Sequence, residues 1–279
     1  MTKYIAVLLT CHNRKEKTLS CLTALYNCII PDGYDFDVFL VDDGSKDGTS
    51  DAIRKNFPQV NIIHGTGNLF WNRGMYLAWE TAAKTNNYDY YLWLNDDTCL
   101  YPHAVEELTI SSESENNRKI ICGSTCDVND KQKITYGGRN SGNSGKELIF
   151  PNGKKQICYC FNGNIVLIPE YVYKIAGMND ALFHHALGDF DYGLRARKSG
   201  IISIVSPSVL GECEEHKVLA GWCNPQTPVL RRLKLLYTPT GNNPFEFFKY
   251  ENRHNGLLNA CFHFITNHLR AICPALWKK

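Results

Sequence analysis

Three apolar runs in the first hundred residues are each followed by a short polar cluster, and helical patterns separate them. The runs cover residues 4–10, 37–41 and 90–94, and the clusters that follow begin at Thr10, Asp42 and Asn95. Near-continuous apolar runs are typical of strands buried on both faces. Alternation of such strands with helices predicts an α/β fold with a mostly parallel sheet. Because ligands bind at the carboxyl ends of parallel strands, we expect the three clusters to meet at one edge.

The rest of the chain continues this pattern with less regularity. Helical spacing or helix-end signals occur in residues 15–27, 49–57, 74–85 and 189–198, and strand patterns in residues 60–64, 120–126, 157–160 and 164–168. Two stretches rich in Ser, Asn and Gly, residues 111–118 and 139–154, are typical of loops. We therefore divide the chain into one domain, residues 1–226, and a C-terminal extension, residues 227–279.

The extension is basic although the whole chain has a net charge of only +2. It holds eight Lys and Arg and two acids, Glu246 and Glu251, for a net charge of +6, which leaves −4 for the remainder. The small total charge argues against a nucleic-acid partner. Mixed aromatic, aliphatic and basic residues in the extension predict helices with one of three roles: packing on the domain, docking on anionic lipid, or forming a homodimer.

No apolar run approaches the length of a membrane-spanning helix, and the N-terminal run is too short for a signal peptide. The twelve cysteines are too sparse for a small disulfide scaffold. We therefore expect a cytoplasmic protein with reduced thiols, in peripheral contact with the inner face of the cytoplasmic membrane if the extension binds lipid.

Several common ligand motifs do not fit the sequence. The stretch GTGNLF, residues 65–70, lacks the third glycine of a dinucleotide fingerprint, and no phosphate-binding GxxxxGK[ST] occurs. A calcium loop that started at Asp43 would have Arg54 at its twelfth position, where a bidentate Glu is needed. These observations disfavour a P-loop ATPase or kinase and a calcium-binding hand.

Carboxylates at the expected sheet edge suggest a different ligand. Asp96 and Asp97 follow a buried strand, where they either cap the helix that starts near Pro102 or hold Mg²⁺ or Mn²⁺ together with substrate phosphates. Asp42 and Asp43 either form a tight turn or accept hydrogen bonds from a ribose hydroxyl or a base. The two functional alternatives together describe a site for a nucleotide and its cation.

Five motifs in order resemble the family 2 glycosyltransferases of the GT-A fold. They are LTCHNR (9–14), VDDGSKDGT (41–49), GNLFWNRG (67–74), WLNDD (93–97) and GDFDYGLR (188–195). The resemblance spans residues 4 to about 216 and is greatest to bacterial rhamnosyl- and galactofuranosyl-type transferases of cell-surface polysaccharide synthesis. It implies a Rossmann-like, mostly parallel sheet flanked by helices. It also implies an inverting, metal-dependent enzyme that moves a sugar from a UDP- or dTDP-sugar to a hydroxyl of a glycan or lipid-linked acceptor.

The resemblance also assigns roles to particular residues, with Asp189 as the catalytic base. The nucleotide side comprises Thr10, His12, Asn13, Asp43, Arg73 and Asp96, and the donor and acceptor pocket comprises Trp71, Asn72, Asn162, Gly163 and His185. Asp97 and His216 would hold Mg²⁺ or Mn²⁺, with Cys213 as the rival of His216. Two departures stand out: Asn95 replaces the first Asp of the family's Asp-x-Asp triplet, and Gly188 replaces the acid that usually precedes the base.

The role of Asp189 fits inverting chemistry, which needs one carboxylate to take the proton of the attacking acceptor hydroxyl. No protein nucleophile is required, in contrast to double-displacement hydrolases. An acid at a helix N-terminus is also favourable for stability alone. Two other functions stay open. A nucleotidyltransferase acting on sugar phosphates usually has a Gly-rich loop after its first strand, which residues 10–14 lack, whereas Asn95 and Gly188 support a non-catalytic nucleotide-sugar or glycan-binding module.

Overall fold

The computed structural model describes residues 2–141, 147–215 and 219–277. Its strands are β1 (Lys3–Cys11), β2 (Tyr34–Asp42), β3 (Asn61–His64), β4 (Tyr90–Leu94), β5 (Cys99–Leu100), β6 (Ile120–Cys126), β7 (Ile134–Tyr136), β8 (Gly138–Arg139), β9 (Gln156–Cys158), β10 (Cys160–Phe161), β11 (Ile165–Pro169) and β12 (Ser203–Glu212). Its helices are α1 (Lys15–Tyr26), α2 (Thr49–Asn56), α3 (Phe70–Thr85), α4 (Ala104–Glu113), α5 (Glu170–Ala176), α6 (Gly188–Lys198), α7 (Val229–Leu236), α8 (Pro244–Asn255) and α9 (Leu257–Ile272).

One mixed sheet organises the domain, with its strands in the order β3-β2-β1-β4-β11-β6-β12-β5. Strands β3, β2, β1 and β4 are mutually parallel, as the sequence pattern predicts. Strand β11 runs antiparallel to both β4 and β6, and β12 is parallel to β6. The predicted α/β class with a largely parallel sheet is therefore confirmed.

The apolar run of β1 is continuous because the strand serves two cores. Val7 and Leu9 face one cluster together with Leu22 of α1, whereas Leu8 faces another together with Trp79 of α3. Helices thus cover both faces of the sheet, which leaves the carboxyl ends of β1, β2 and β4 as the exposed edge.

Some elements differ from their sequence-based prediction. Helix α3 begins at Phe70, four residues before the predicted start. Helix α4 extends into the predicted loop at residues 111–118, because Ser111 and Ser112 are small enough to be buried in its last turn. The single strand predicted at residues 157–160 is two short strands, β9 and β10, that pair with different neighbours.

The extension forms helices α7, α8 and α9, and α8 connects it to the domain. Arg253 of α8 donates hydrogen bonds to Asp180 and Asp191, each over 2.8 Å. Glu246 at the other end of α8 lies 2.6 Å from His184 Nδ1. In the described residues, no helix combines the length and apolarity needed to cross a membrane.

Candidate active site

A cavity of about 520 Å³ lies at the edge of the sheet where β1, β2 and β4 end. The topology brings the three polar clusters together there, as expected for parallel strands. Asp189 reaches the same cavity from the start of α6, although it is more than ninety residues away from Asp97 in the chain. The predicted residues that line the cavity are Thr10, His12, Asp43, Trp71, Asp96, Asp97, Asn162, Gly163, His185 and Asp189.

Asp43 is buried and fixes the loop that leads into α3. Its Oδ1 accepts a hydrogen bond from the backbone N–H of Gly67, and its Oδ2 accepts from those of Leu69 and Phe70, over 2.7–3.0 Å. A carboxylate has about four acceptor sites, so this arrangement leaves capacity for a further donor from a ligand. Asp43 therefore shapes the cavity wall and can also contact what binds there.

The side chain of His12 is held above the end of β1. Its Nδ1 lies 2.6 Å from the backbone oxygen of Asp43, and its Nε2 lies 2.9 Å from Nδ2 of Asn13. Because a carbonyl oxygen can only accept, Nδ1 carries the proton and Nε2 accepts from the Asn13 amide. His12 thus presents an oriented ring to the cavity.

The end of β4 is occupied by a pair of carboxylates with one guanidinium between them. Nη1 of Arg14 lies 3.1 Å from Asp96 Oδ1 and 2.8 Å from Asp97 Oδ2. Burial raises the pKa of Asp96 to about 7, although Arg14 opposes this shift. The thiol of Cys213 lies 3.6 Å from Asp97 Oδ1, and burial raises its pKa to about 12.

These side chains fit a hard divalent cation. Asp96 Oδ2 is buried, and within the described ranges it has no hydrogen-bond partner. This oxygen could therefore bind a cation. The protonated Cys213 is a poor metal ligand, because metals bind the thiolate. The described residues contain no group of three or more His, Cys, Asp or Glu that could hold a metal. Mg²⁺ and Mn²⁺ suit such a place, since they need only one or two carboxylates when phosphates and water complete their shell.

Asp189 stands in the first turn of α6 with both carboxylate oxygens bonded to the backbone. Oδ2 accepts from the N–H of Gly163 over 3.0 Å, and Oδ1 accepts from the N–H of Phe190 over 2.8 Å. A Cβ on Gly163 would lie 2.5 Å from the Trp71 ring, so only glycine lets this backbone N–H approach Asp189. The carboxylate is therefore fixed in orientation and faces the cavity.

Asn95, which replaces the first Asp of the triplet, has a structural role. Its Oδ1 accepts a hydrogen bond from the indole N–H of Trp71 over 2.7 Å. The Trp71 ring also packs edge-on against Trp93, with ring centroids 5.8 Å apart. An amide oxygen is sufficient for this contact, so the cavity wall does not need a carboxylate at this position.

Gly188, which replaces the acid expected before the base, is explained by packing. A Cβ at Gly188 would lie 1.9 Å from Oδ1 of Asn72. Helix α6 can therefore begin close to α3 only if this residue has no side chain.

Three predicted site residues do not line this cavity. Asn72 is fully buried and donates to the backbone oxygens of Asp180 and Phe183, and Arg73 donates to the backbone oxygen of Ala181. Both therefore hold the segment before α6, whereas the resemblance assigned them to donor binding and to the diphosphate. Asn13 binds backbone and side chains of the loop after β2 and does not reach the lining. His216 lies outside the described residues.

The structure adds lining residues that the sequence reasoning did not assign to the site. Arg14 belongs to the polar cluster after β1, and its positive charge could have indicated a role in the site. The sequence alone does not show that its side chain points into the cavity. Thr240 comes from the extension and lines the same cavity. Burial lowers the pKa of His185, which therefore enters the cavity as a neutral ring near neutral pH.

A family model described as "Glycosyl transferase family 2" matches residues 6–175. A search of curated proteins finds no match to the chain. Among solved structures, Staphylococcus aureus TarS 1–349 in complex with UDP-GlcNAc has a TM-score of 0.57 at 14% identity, over 95% of this chain and 81% of that one. The mannosyltransferase PcManGT from Pyrobaculum calidifontis, in complex with GDP-Man and Mn²⁺, has a TM-score of 0.56 at 15% identity, over 100% of this chain and 88% of that one. At these identities, the structural likeness concerns the fold.

Proposed function

Because the chain belongs to glycosyl transferase family 2, we propose that it is an inverting, metal-dependent glycosyltransferase. The proposed donor is a UDP- or dTDP-sugar, and the proposed acceptor is a hydroxyl of a glycan or lipid-linked glycan in cell-surface polysaccharide synthesis. One observation carries the proposal: Asp43, Asp97 and Asp189 line a single cavity although they are far apart in the chain.

Asp189 is the proposed catalytic base. Its two backbone hydrogen bonds orient the carboxylate, and a carboxylate is a suitable general base for the proton of the acceptor hydroxyl. As that proton moves to Asp189, the acceptor oxygen forms its bond to the anomeric carbon and the bond to the nucleoside diphosphate breaks. The configuration at the anomeric carbon is inverted because the acceptor oxygen attacks from the side opposite the leaving group.

The donor is proposed to bind with its nucleoside over Thr10, His12 and Asp43 and its diphosphate near Asp96 and Asp97. Arg14 brings a permanent positive charge to the diphosphate position. A divalent cation bound at Asp97 and Asp96 would stabilise the negative charge of the leaving diphosphate. Two structural neighbours support this assignment, since the TarS structure contains UDP-GlcNAc and the PcManGT structure contains GDP-Man and Mn²⁺.

The acceptor side is proposed to involve Asn162, Gly163 and His185, which line the cavity beside Asp189. The neutral ring of His185 can donate one hydrogen bond to a sugar hydroxyl with its N–H and accept one from a sugar hydroxyl with its other nitrogen. Asp189 reaches the cavity from the start of α6, whereas the residues proposed for the donor lie at the ends of β1, β2 and β4.

The test measures release of UDP or dTDP from a panel of nucleotide sugars, with Mn²⁺ or with a chelator. Asp189→Asn is expected to lose turnover by at least about a hundredfold while it keeps the donor-induced rise in melting temperature. Asp130→Asn, in an exposed loop, is the matched control and should retain full turnover.

Three outcomes would contradict the proposal. Donor binding without turnover in the wild type would indicate a binding module. Release of pyrophosphate from a nucleoside triphosphate and a sugar phosphate would indicate a nucleotidyltransferase. Full turnover in Asp189→Asn would remove Asp189 from the mechanism.

A further inference from the structure

Helix α9 presents its large apolar side chains to solvent. Leu258 is 87% exposed and Phe262 is 61% exposed, and the series continues along the helix. The spacing of i, i+4, i+7, i+11 and i+14 places the series on one side of the helix. We call this side the outer face; it consists of Leu258, Phe262, Ile265, Leu269 and Ile272.

The opposite side of α9 packs on the protein and carries small and polar side chains together with one aromatic ring, Phe264, which contacts Phe245 and Phe248 of α8. Ala260 and Ala271 are fully buried, and His263 lies 3.1 Å from Glu251 of α8. A helix at the surface of a globular domain normally buries its apolar side and exposes its polar side. Because α9 instead exposes a row of large apolar side chains, we expect its outer face to have a partner.

The charges of the extension indicate the kind of partner. Both of its acids are engaged and poorly exposed, Glu246 with His184 and Glu251 with His263. In contrast, the extension exposes the basic side chains of Arg231, Lys234 and Lys249. The sequence continues past α9 with two further lysines. Across its described residues the extension therefore offers solvent an uncharged apolar stripe and basic side chains.

We propose that the outer face of α9 docks on an anionic lipid bilayer, with the basic side chains of the extension at the headgroups. Lipid accommodates both features at once, since acyl chains accept the apolar side chains and anionic headgroups attract Lys and Arg. A second copy of the chain would bring two basic extensions together, which like-charge repulsion disfavours.

The dimensions of α9 agree with a helix that lies in the plane of the bilayer. Its 16 residues correspond to a length of about 24 Å. That is shorter than the ~30 Å hydrocarbon core that a spanning helix must cross. The exposed apolar residues of the outer face also lie along one side, whereas a spanning helix is apolar on all sides.

The outer face is connected to the cavity through α8, and a single residue, Gly256, separates α8 from α9. Glu246 of α8 holds His184, and the next residue, His185, lines the cavity. In a docked chain, α8 would therefore link the outer face of α9 to the cavity. The docking proposal rests on the outer face of α9 and the basic side chains of the extension alone, and it goes beyond the proposed transfer reaction.

The experiment is cosedimentation of the full chain with phosphatidylcholine vesicles that contain or lack phosphatidylglycerol. Binding to the anionic vesicles is expected to be at least about tenfold tighter and to weaken with salt, since each basic side chain contributes about fivefold. Phe262→Asp should lose this binding. Phe150→Asp is the matched control, because Phe150 is also 61% exposed but lies in the domain, and it should bind like the wild type.

Several results would overturn the docking proposal. They are absence of binding to anionic vesicles, equal binding to neutral vesicles, or equal loss in the two variants. Sedimentation velocity without lipid provides a further test, because a dimer that Phe262→Asp dissociates would assign the outer face to a second copy. Vesicle binding requires neither a sugar donor nor turnover. A chain that releases nucleotide but does not bind vesicles would therefore contradict the docking proposal and leave the proposed function intact.

Discussion

The buried carboxylate of Asp191 is expected to stabilise the position of α6, because it pairs with basic side chains from α6 and α8. Its side chain is fully buried, and its two oxygens accept hydrogen bonds from Arg195, Arg253 and His254, each over 2.8 Å. Burial alone would raise the pKa of Asp191, but these hydrogen bonds hold it below its usual value. The perturbation is Asp191→Asn, which keeps the shape of the side chain and removes the charge.

The expected magnitude follows from burial. Breaking a buried ion pair by removing one partner costs about 3–5 kcal/mol. The side chains of Arg195 and Arg253 are 25% and 31% exposed, so water replaces part of the hydrogen bonding that they lose with Asp191. The lower end of the range applies, and we expect a loss of about 3 kcal/mol. At about 2–4 °C per kcal/mol, the melting temperature falls by roughly 6–12 °C.

Urea and thermal unfolding measure this loss, and Asp51→Asn is the matched control. Asp51 is also an acid in the first turn of a helix, but its side chain is 88% exposed and it pairs with Arg54 at the surface. Surface pairs contribute about 0–1 kcal/mol, so Asp51→Asn should change the melting temperature by no more than about 4 °C. Equal losses in the two variants would refute the argument from burial.

Two further predictions concern the same region. Because the pKa of Asp191 is lower in the folded chain than in the unfolded chain, its charge stabilises the fold above about pH 4, and the contribution disappears as the pH falls through the folded-state pKa. The stability gap between wild type and Asp191→Asn, measured by urea unfolding, should therefore narrow below pH ~4; a constant gap would argue against linkage. Gly188→Ala should cost about 1–2 kcal/mol in the same assay, since a Cβ 1.9 Å from Asn72 Oδ1 outweighs the better helix propensity of Ala. A variant as stable as the wild type would show that Asn72 can move.

The strand ends were predictable from the sequence because their convergence is a property of topology. Once β1, β2 and β4 are parallel neighbours, the residues after each strand meet at one edge, and side-chain detail is not needed. Asp189 came from the resemblance, since nothing in periodicity tells where α6 starts relative to that edge.

Directions of neighbouring side chains were not predictable in the same way. Trp71 lines the cavity, whereas Asn72 and Arg73, the next two residues of α3, turn toward the segment before α6. Successive helical residues are about 100° apart, so a motif that is continuous in sequence is divided between two surfaces in space. The packing of Gly188 on Asn72 is likewise a contact between distant residues that no local pattern reports.

The connections made by α8 have a practical consequence for work with shortened chains. A fragment that stops at residue 226 would lack Glu246, Arg253 and His254 and would leave Asp191 and His184 without those partners. The change in composition at residue 227 is thus a poor place to cut, because the side chains that steady α6 come from beyond it. Recombinant fragments intended to retain the geometry around Asp189 should extend at least through His254.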